Sequence, residues 1–159
     1  MPKEKLITIL GPTASGKTAL GVYLAKALGS VVISGDAFQV YRRMDIGTAK
    51  VTKAEAEGVP HFLVDCLEPT ESYSAADFQE KAKAIIHEEN EKGRIPIVVG
   101  GTGLYIQSLL EGYEFLPKVG GRSRWEYLLA EEGKEALIEE LQKRGADVPI
   151  DPQGMVRKV

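Results

Sequence analysis

The sequence predicts an α/β fold in which a mostly parallel sheet is flanked by helices. Three observations support this prediction. Short apolar runs rich in β-branched residues recur through the first hundred residues, helical patterns lie between them, and a glycine-rich turn joins the first run to the first helix. Strands that alternate with helices are joined by crossovers of one hand, and they lie parallel in the sheet.

Length and composition indicate one main domain. A chain of 159 residues with 43% hydrophobic residues can bury one core and carry a small appendage. The net charge of -3 argues against a protein that coats nucleic acid through bulk charge. No apolar run approaches the roughly 20 residues of a membrane-spanning helix, and a lone cysteine, Cys66, fits a reducing compartment. We therefore expect a cytoplasmic protein without membrane association.

Four apolar runs are predicted to be buried strands, because each is short and rich in residues that pack well in sheets. They cover residues 6–10, 31–34, 62–65 and 95–99. Cys66 follows the third run and is expected to be a small buried side chain at a strand end.

Two long helices are predicted between these strands. The first covers residues 17–28 and is followed by Gly29, a residue typical of helix ends. The second begins at Ser74, where Asp77 three residues later suits a helix start, and Gly93 closes it.

The pattern changes after Pro117. The stretch KVGGRSRW is typical of a connector, and RWEYLLAEEGKEALIEELQKRG predicts one broken helix or two short ones, with the break at Gly133. We expect a core over residues 1–117, a helical insertion over residues 118–150, and the start of a return to the core over residues 151–159.

The segment GPTASGKT lies between the first strand and the first helix. In that context the pattern is a phosphate-binding loop, as in P-loop NTPase-like folds, because backbone amides and the helix dipole favour an anion. The lysine places an ammonium on the terminal phosphates, and the threonine hydroxyl can ligate Mg²⁺. The pattern does not say whether the ligand is a nucleotide. The expected ligand-binding residues are Gly11, Pro12, Thr13, Ala14, Ser15, Gly16, Lys17 and Thr18.

Two acidic residues follow the second and third strands. Asp36 comes at the carboxyl edge of the sheet, where ligands collect in open α/β folds. Its carboxylate could deprotonate or orient a nucleophile, or hold Mg²⁺ through water, and it could equally cap a turn. Asp65 is a second candidate for a Mg²⁺ contact.

The fourth strand runs into GGTG, where three glycines flank Thr102. Glycines at a strand end permit close approach of a ligand, and the Thr102 hydroxyl would lie at the opening of another helix. The same pattern also fits a plain turn and helix cap.

Five segments together resemble the tRNA dimethylallyltransferases, also called isopentenyl-tRNA transferases. They are GPTASGKT, ISGDAFQVYRRMDIGTAK, VPHFLVD, SYSAADF and VVGGTGLYIQSLLEGY. The likeness is nearly continuous from residue 6 to about residue 117. MDIGTAK followed by GGTGLY is far more specific than the phosphate loop.

The resemblance implies an alkyl transfer. A dimethylallyl group would move from dimethylallyl diphosphate to the exocyclic amine of the adenosine on the 3′ side of the tRNA anticodon. The phosphate loop would then hold the leaving diphosphate, with Mg²⁺ at Thr18. Asp36 would be the general base, with Lys17 and Thr102 as the other catalytic residues. We expect a monomer whose partners are the tRNA anticodon loop and dimethylallyl diphosphate.

The family also implies a set of tRNA contacts, and the target base must leave its stack to reach them. The positions that match are Asp36, Ala37, Phe38, Gln39, Thr102, Arg122, Gln153 and Arg157. The amide of Gln39 is suited to reading a nucleobase edge.

This chain departs from the family pattern at three positions. Ala37 and Phe38 stand where the family usually has Ser-Met, and Gly154 replaces an arginine in the segment DPQGMVRKV. Family members also continue well beyond the position of Val159, so we expect a truncated or abridged chain.

Three other functions are open. A small-molecule kinase would use Asp36 to orient a hydroxyl and would bind ATP more tightly than dimethylallyl diphosphate. A related enzyme would transfer the prenyl group to a free adenine nucleotide. A third possibility is diphosphate or partner binding without turnover.

Overall fold

The structure is a computed structural model that describes residues 3–101, 103–115 and 122–145, without the side chains of residues 122–126. The chain divides into two compact units, Met1–Phe115 and Leu116–Val159. Among the described residues, no helix is both long enough and apolar enough to span a bilayer.

The described residues of the first unit form four strands and four helices. In chain order they are β1 (Ile7–Leu10), α1 (Lys17–Leu28), β2 (Val32–Ser34), α2 (Lys53–Ala56), β3 (His61–Phe62), α3 (Ala75–Glu91), β4 (Ile97–Gly100) and α4 (Gly103–Glu111). The second unit has two described helices, α5 (Arg122–Glu131) and α6 (Gly133–Lys143). They are separated at Gly133, where the sequence predicts a break.

The four strands form one sheet in the order β1-β4-β2-β3, and every pair is parallel. This confirms the predicted α/β fold class. The register pairs Leu10 with Gly100 and Ser34 with Val99, so three strands end side by side. The phosphate loop, the turn of Asp36 and the GGTG segment therefore leave the sheet at the same edge.

Apolar side chains on both faces of the sheet anchor this edge. Alternate residues of one strand face opposite ways, so Val32 joins the core under α1 while Ile33 joins the core under α3 and α4. Val99 and Val98 divide between the two cores in the same way. Because helices cover both faces of the sheet, the strand sequences are continuous apolar runs and do not alternate between polar and apolar residues.

The helix boundaries agree with the capping signals. Gly29 follows α1 with φ of 59°, the left-handed conformation that glycine adopts without strain. At the start of α3, the side chain of Ser74 accepts from the amide of Asp77, and the Asp77 carboxylate accepts from the amide of Ser74. Helix α4 begins directly after the GGTG threonine, as predicted.

The prediction for the third strand is wrong. It placed a strand over residues 62–65, whereas β3 ends at Phe62. Leu63 and Asp65 have φ of 61° and 54°, and a chain in the left-handed region cannot continue a strand. Cys66 is exposed, contrary to the expectation of a buried side chain at a strand end.

Candidate functional site

A cleft of about 1450 Å³ opens in the first unit at the edge where the parallel strands end. Its walls come from the phosphate loop and α1, from the turn that carries Asp36, and from the loop that ends in Lys50. Of the predicted site residues, those that line it are Pro12, Thr13, Ala14, Ser15, Gly16, Lys17, Thr18, Asp36, Phe38 and Gln39. The predicted anion site and the predicted acid therefore share one cavity.

The phosphate loop is closed by bonds to a single carbonyl. The hydroxyl of Ser15 donates to the Pro12 carbonyl oxygen over 2.7 Å, and the Lys17 ammonium donates to the same oxygen over 2.8 Å. Gly16, the N-cap of α1, has φ of 84°, and no side chain caps the helix. The first turn of α1 also lacks an acidic residue. The helix start thus favours an anion, because neither a cap nor a carboxylate competes for its amides.

Close backbone contacts place the GGTG segment between the other two loops. A Cβ atom on Gly100 would lie 2.7 Å from the Gly35 carbonyl oxygen, and one on Gly101 would lie 3.4 Å from the Gly11 carbonyl oxygen. Gly35 directly precedes Asp36, and Gly11 opens the phosphate loop. Glycine is therefore needed at Gly100 to bring β4 against the turn of the acid.

Asp36 caps its own turn and also lines the cleft. Its Oδ1 accepts hydrogen bonds from the backbone amides of Phe38, over 2.8 Å, and Gln39, over 3.3 Å. The structure thus shows the turn cap, and it places Asp36 in the same cleft as the phosphate loop. The two amides restrain the carboxylate, and its role as an acid or base stays a prediction.

Two residues in this turn make contacts within the protein. The Gln39 amide, expected to read a nucleobase edge, donates to the carbonyls of Thr48 and Ala49, and its oxygen accepts from the Ser34 hydroxyl. Its polar atoms therefore hold the following loop. Ala37, expected to contact tRNA, packs against the core under α3 and α4 and does not line the cleft.

A buried ammonium, that of Lys50, fixes the loop of residues 40–50. The Lys50 side chain is 6% exposed and donates to the Tyr41 carbonyl and to the carboxylates of Asp45 and Asp65. Burial lowers the pKa of Lys50, but the hydrogen bonds that it donates to Asp45 and Asp65, with the negative charges of both carboxylates, outweigh burial, so the pKa is raised. The loop is thus held by a permanently charged group.

Replacing Lys50 with methionine is expected to lower the free energy of unfolding by about 1–2 kcal/mol, because three hydrogen bonds are lost together. Urea denaturation of the full-length protein measures the change. The matched control is Lys53→Met, which removes the same charge from an exposed position. Equal stability of the two variants would contradict the anchoring role of Lys50.

The far end of the cleft was not foreseen from the sequence. It lies between α1 and α2, over β3, and includes Tyr23, Glu55 and His61. Lys26 and Glu57 form an ion pair across it at 2.9 Å. No motif marks these residues, because they meet only when the helices pack.

The described residues offer few protein ligands for a metal ion. None of them form a group of three or more His, Cys, Asp or Glu side chains suited to hold a metal. Asp65, a candidate Mg²⁺ contact, is paired with Lys50 at 2.5 Å. Thr18 lines the cleft beside the phosphate loop. This donor set fits Mg²⁺ only where the bound anion and water supply most of the ligands.

The remaining predicted site residues are not all covered by the structure. Thr102, Gln153 and Arg157 lie outside the described residues. Arg122 is the first residue of α5 in the second unit, and its side chain is likewise outside the description.

Known proteins resemble this chain over most of its length. Residues 39–155 match the family model of the IPP transferases. The tRNA dimethylallyltransferases of Bacillus anthracis and Bacillus cereus are each 49% identical to it, over 99% and 98% of this chain and 49% and 48% of their own. The chain therefore spans about half the length of these curated relatives.

Two solved structures also resemble this chain in sequence and in fold. The tRNA isopentenylpyrophosphate transferase of Bacillus halodurans is 48% identical with a TM-score of 0.70, over 89% of this chain and 48% of its own. A eukaryotic dimethylallyltransferase acting on tRNA is 30% identical with a TM-score of 0.71, over 89% of this chain and 36% of its own.

Proposed function

This chain belongs to the IPP transferase family, and on that premise we propose that the protein transfers a dimethylallyl group from dimethylallyl diphosphate to tRNA. The acceptor is the exocyclic amine of the adenosine 3′ of the anticodon, and diphosphate is released. The observation that carries the proposal is the shared cavity: the phosphate loop and Asp36 line one cleft.

The leaving group is stabilised at the phosphate loop. As the bond between the allylic carbon and its oxygen breaks, the electron pair passes to the diphosphate, whose charge grows. The Lys17 ammonium and the amides at the start of α1 are preorganised to receive that charge. Mg²⁺, held by Thr18 and the diphosphate oxygens, would supply further neutralisation.

The acceptor is activated at the opposite wall. An adenine amine is a weak nucleophile because its lone pair is shared with the ring. As the new carbon–nitrogen bond forms, the amine proton passes to the Asp36 carboxylate, whose direction is fixed by the amides of Phe38 and Gln39. Thr102 is proposed to hold a reactant in register.

We propose that the tRNA is contacted by exposed groups around the cleft. Phe38 lines the cleft and is 59% exposed, which suits stacking on a base. Gln39 acts indirectly, through the loop that it holds. Arg122, Gln153 and Arg157 are proposed to bind the tRNA on the strength of the family resemblance.

Mass spectrometry of an anticodon stem-loop tests the proposal. Incubation with the full-length protein, Mg²⁺ and dimethylallyl diphosphate is expected to add one dimethylallyl unit to the adenosine 3′ of the anticodon. Parallel incubations with AMP as acceptor and with ATP as competitor separate the alternatives. Modification of AMP in preference to the stem-loop, or tighter binding of ATP than of dimethylallyl diphosphate, would reject the proposal.

A further inference from the structure

The side chain of Ile46 is nearly fully exposed. At 98% relative exposure it exceeds every other large apolar side chain in the described part of the chain, the next being Tyr23 at 69%. Exposure of a single apolar side chain on a surface is common and needs no explanation. Ile46 differs because the loop that carries it is pinned at several points, so the exposure belongs to a fixed conformation.

Hydrogen bonds fix the loop around Ile46 on both sides. The Thr48 hydroxyl donates to the Met44 carbonyl oxygen over 2.7 Å and closes the turn that contains Ile46. Gln39 holds the carbonyl of Thr48, and Lys50 holds the carboxylate of Asp45. Three polar contacts thus hold the loop in a conformation that leaves the apolar Ile46 side chain in solvent.

Ile46 stands at the rim of the cleft. The next two residues, Gly47 and Thr48, line the cavity, whereas Ile46 does not. Phe38, also exposed, lines the same cavity. A base that enters the cleft would therefore leave its stack close to the Ile46 side chain.

Two arginines accompany Ile46 on the same loop. The side chains of Arg42 and Arg43 are 55% and 76% exposed, and both are ion-paired with the carboxylate of Glu68, which offsets one of their two charges. This bonding fixes their position while leaving much of each group open to solvent. Exposed arginines beside an apolar tip suit a strand with phosphates outside and bases inside.

We propose that Ile46 inserts between the bases of the anticodon loop and fills the place that the target adenosine vacates when it turns into the cleft. This inference rests on the proposed function. Extruding a base costs unstacking energy, and an apolar wedge offsets part of it by restoring contact with the neighbouring bases. A loop held by hydrogen bonds suits the task, because little backbone ordering has to accompany insertion.

A stem-loop with 2-aminopurine at the target position tests the wedge. Its fluorescence rises when the base leaves the stack, and it lacks the reacting amine, so the signal is independent of transfer. With the full-length wild-type protein we expect a strong rise. Ile46→Ala is expected to lose most of this rise and to weaken stem-loop binding about ten- to fiftyfold, because three buried carbons are removed.

Matched variants make the result specific. Ile46→Leu keeps the apolar volume and is expected to retain the rise, and Leu110→Ala, which shortens a 53% exposed side chain on α4, is expected to change neither signal. Dimethylallyl diphosphate affinity should be unchanged in Ile46→Ala, since the phosphate loop is intact.

Three results would overturn the wedge. One is a wild-type rise that Ile46→Ala reproduces in full. Another is a lower thermal midpoint of Ile46→Ala in the full-length protein, which would show that Ile46 is covered by another part of the protein. The third is the absence of any rise with the wild type. A wild-type rise without prenyl transfer would reject only the proposed reaction, and the comparison of variants would still decide the wedge.

Discussion

Asp36→Asn is expected to lower kcat for prenyl transfer to the stem-loop by about 10²–10⁴-fold, the range typical of a lost general base. The reason lies in the two roles of this side chain. Its Oδ1 caps the turn by accepting from the amides of Phe38 and Gln39. An asparagine oxygen can accept the same two bonds, so the turn should persist while the proton acceptor is lost.

Comparison with Asp36→Ala distinguishes the turn cap from the general base. It removes the cap as well as the base, so we expect a comparable loss of kcat together with a loss of about 1 kcal/mol in stability. Steady-state kinetics, diphosphate titration and urea denaturation of the three proteins give the full comparison. Diphosphate affinity should stay unchanged in both variants, since Lys17 and the loop amides are untouched. Turnover of Asp36→Asn at the wild-type rate would remove the base assignment.

Gly100→Ala is expected to lower the free energy of unfolding by about 3 kcal/mol, at the upper end of the usual range for overpacking. The added Cβ would lie 2.7–2.9 Å from three backbone atoms of Gly35. The Gly35 backbone directly follows β2 and is bonded to β4 through its amide, so it cannot move aside as a flexible side chain can. Because Gly35 precedes Asp36, the shift should also displace the acid and lower kcat.

A second glycine of the same segment supplies the control. A Cβ on Gly103 would meet no atom within 4 Å, and the residue lies at the start of α4, where alanine is a better helix former. Gly103→Ala should therefore unfold at or above the wild-type urea midpoint. If Gly100→Ala proved as stable as Gly103→Ala, the close approach of β4 to the turn of Asp36 would be refuted.

Local patterns predicted the framework of the site well. The phosphate loop, both ends of α1, the capping box of Ser74 and the break at Gly133 depend on residues near one another in sequence, and each was found as expected. Parallel strands with their ends at one edge then brought Asp36 and the phosphate loop into one cleft, as the topology required.

The features that the sequence did not reveal depend on contacts between distant loops. The Gln39 amide is occupied by carbonyls nine and ten residues away, and the Lys50 ammonium by a carboxylate fifteen residues away. Residue type alone does not decide whether an amide faces a ligand or a neighbouring loop. Likewise, the early end of β3 follows from left-handed residues, Leu63 and Asp65, whose types do not demand that conformation.

The strand order sets the distance between the phosphate loop and Asp36, the two groups that the proposed reaction uses. The phosphate loop follows β1 and Asp36 follows β2, with β4 between them. Two interstrand spacings of about 4.8 Å place these loops roughly 10 Å apart at their roots. The sheet thereby fixes the separation between the two loops. For the proposed reaction, adjacent strands would leave less room between the diphosphate and its acceptor, and a further intervening strand would move the carboxylate away from the acceptor amine.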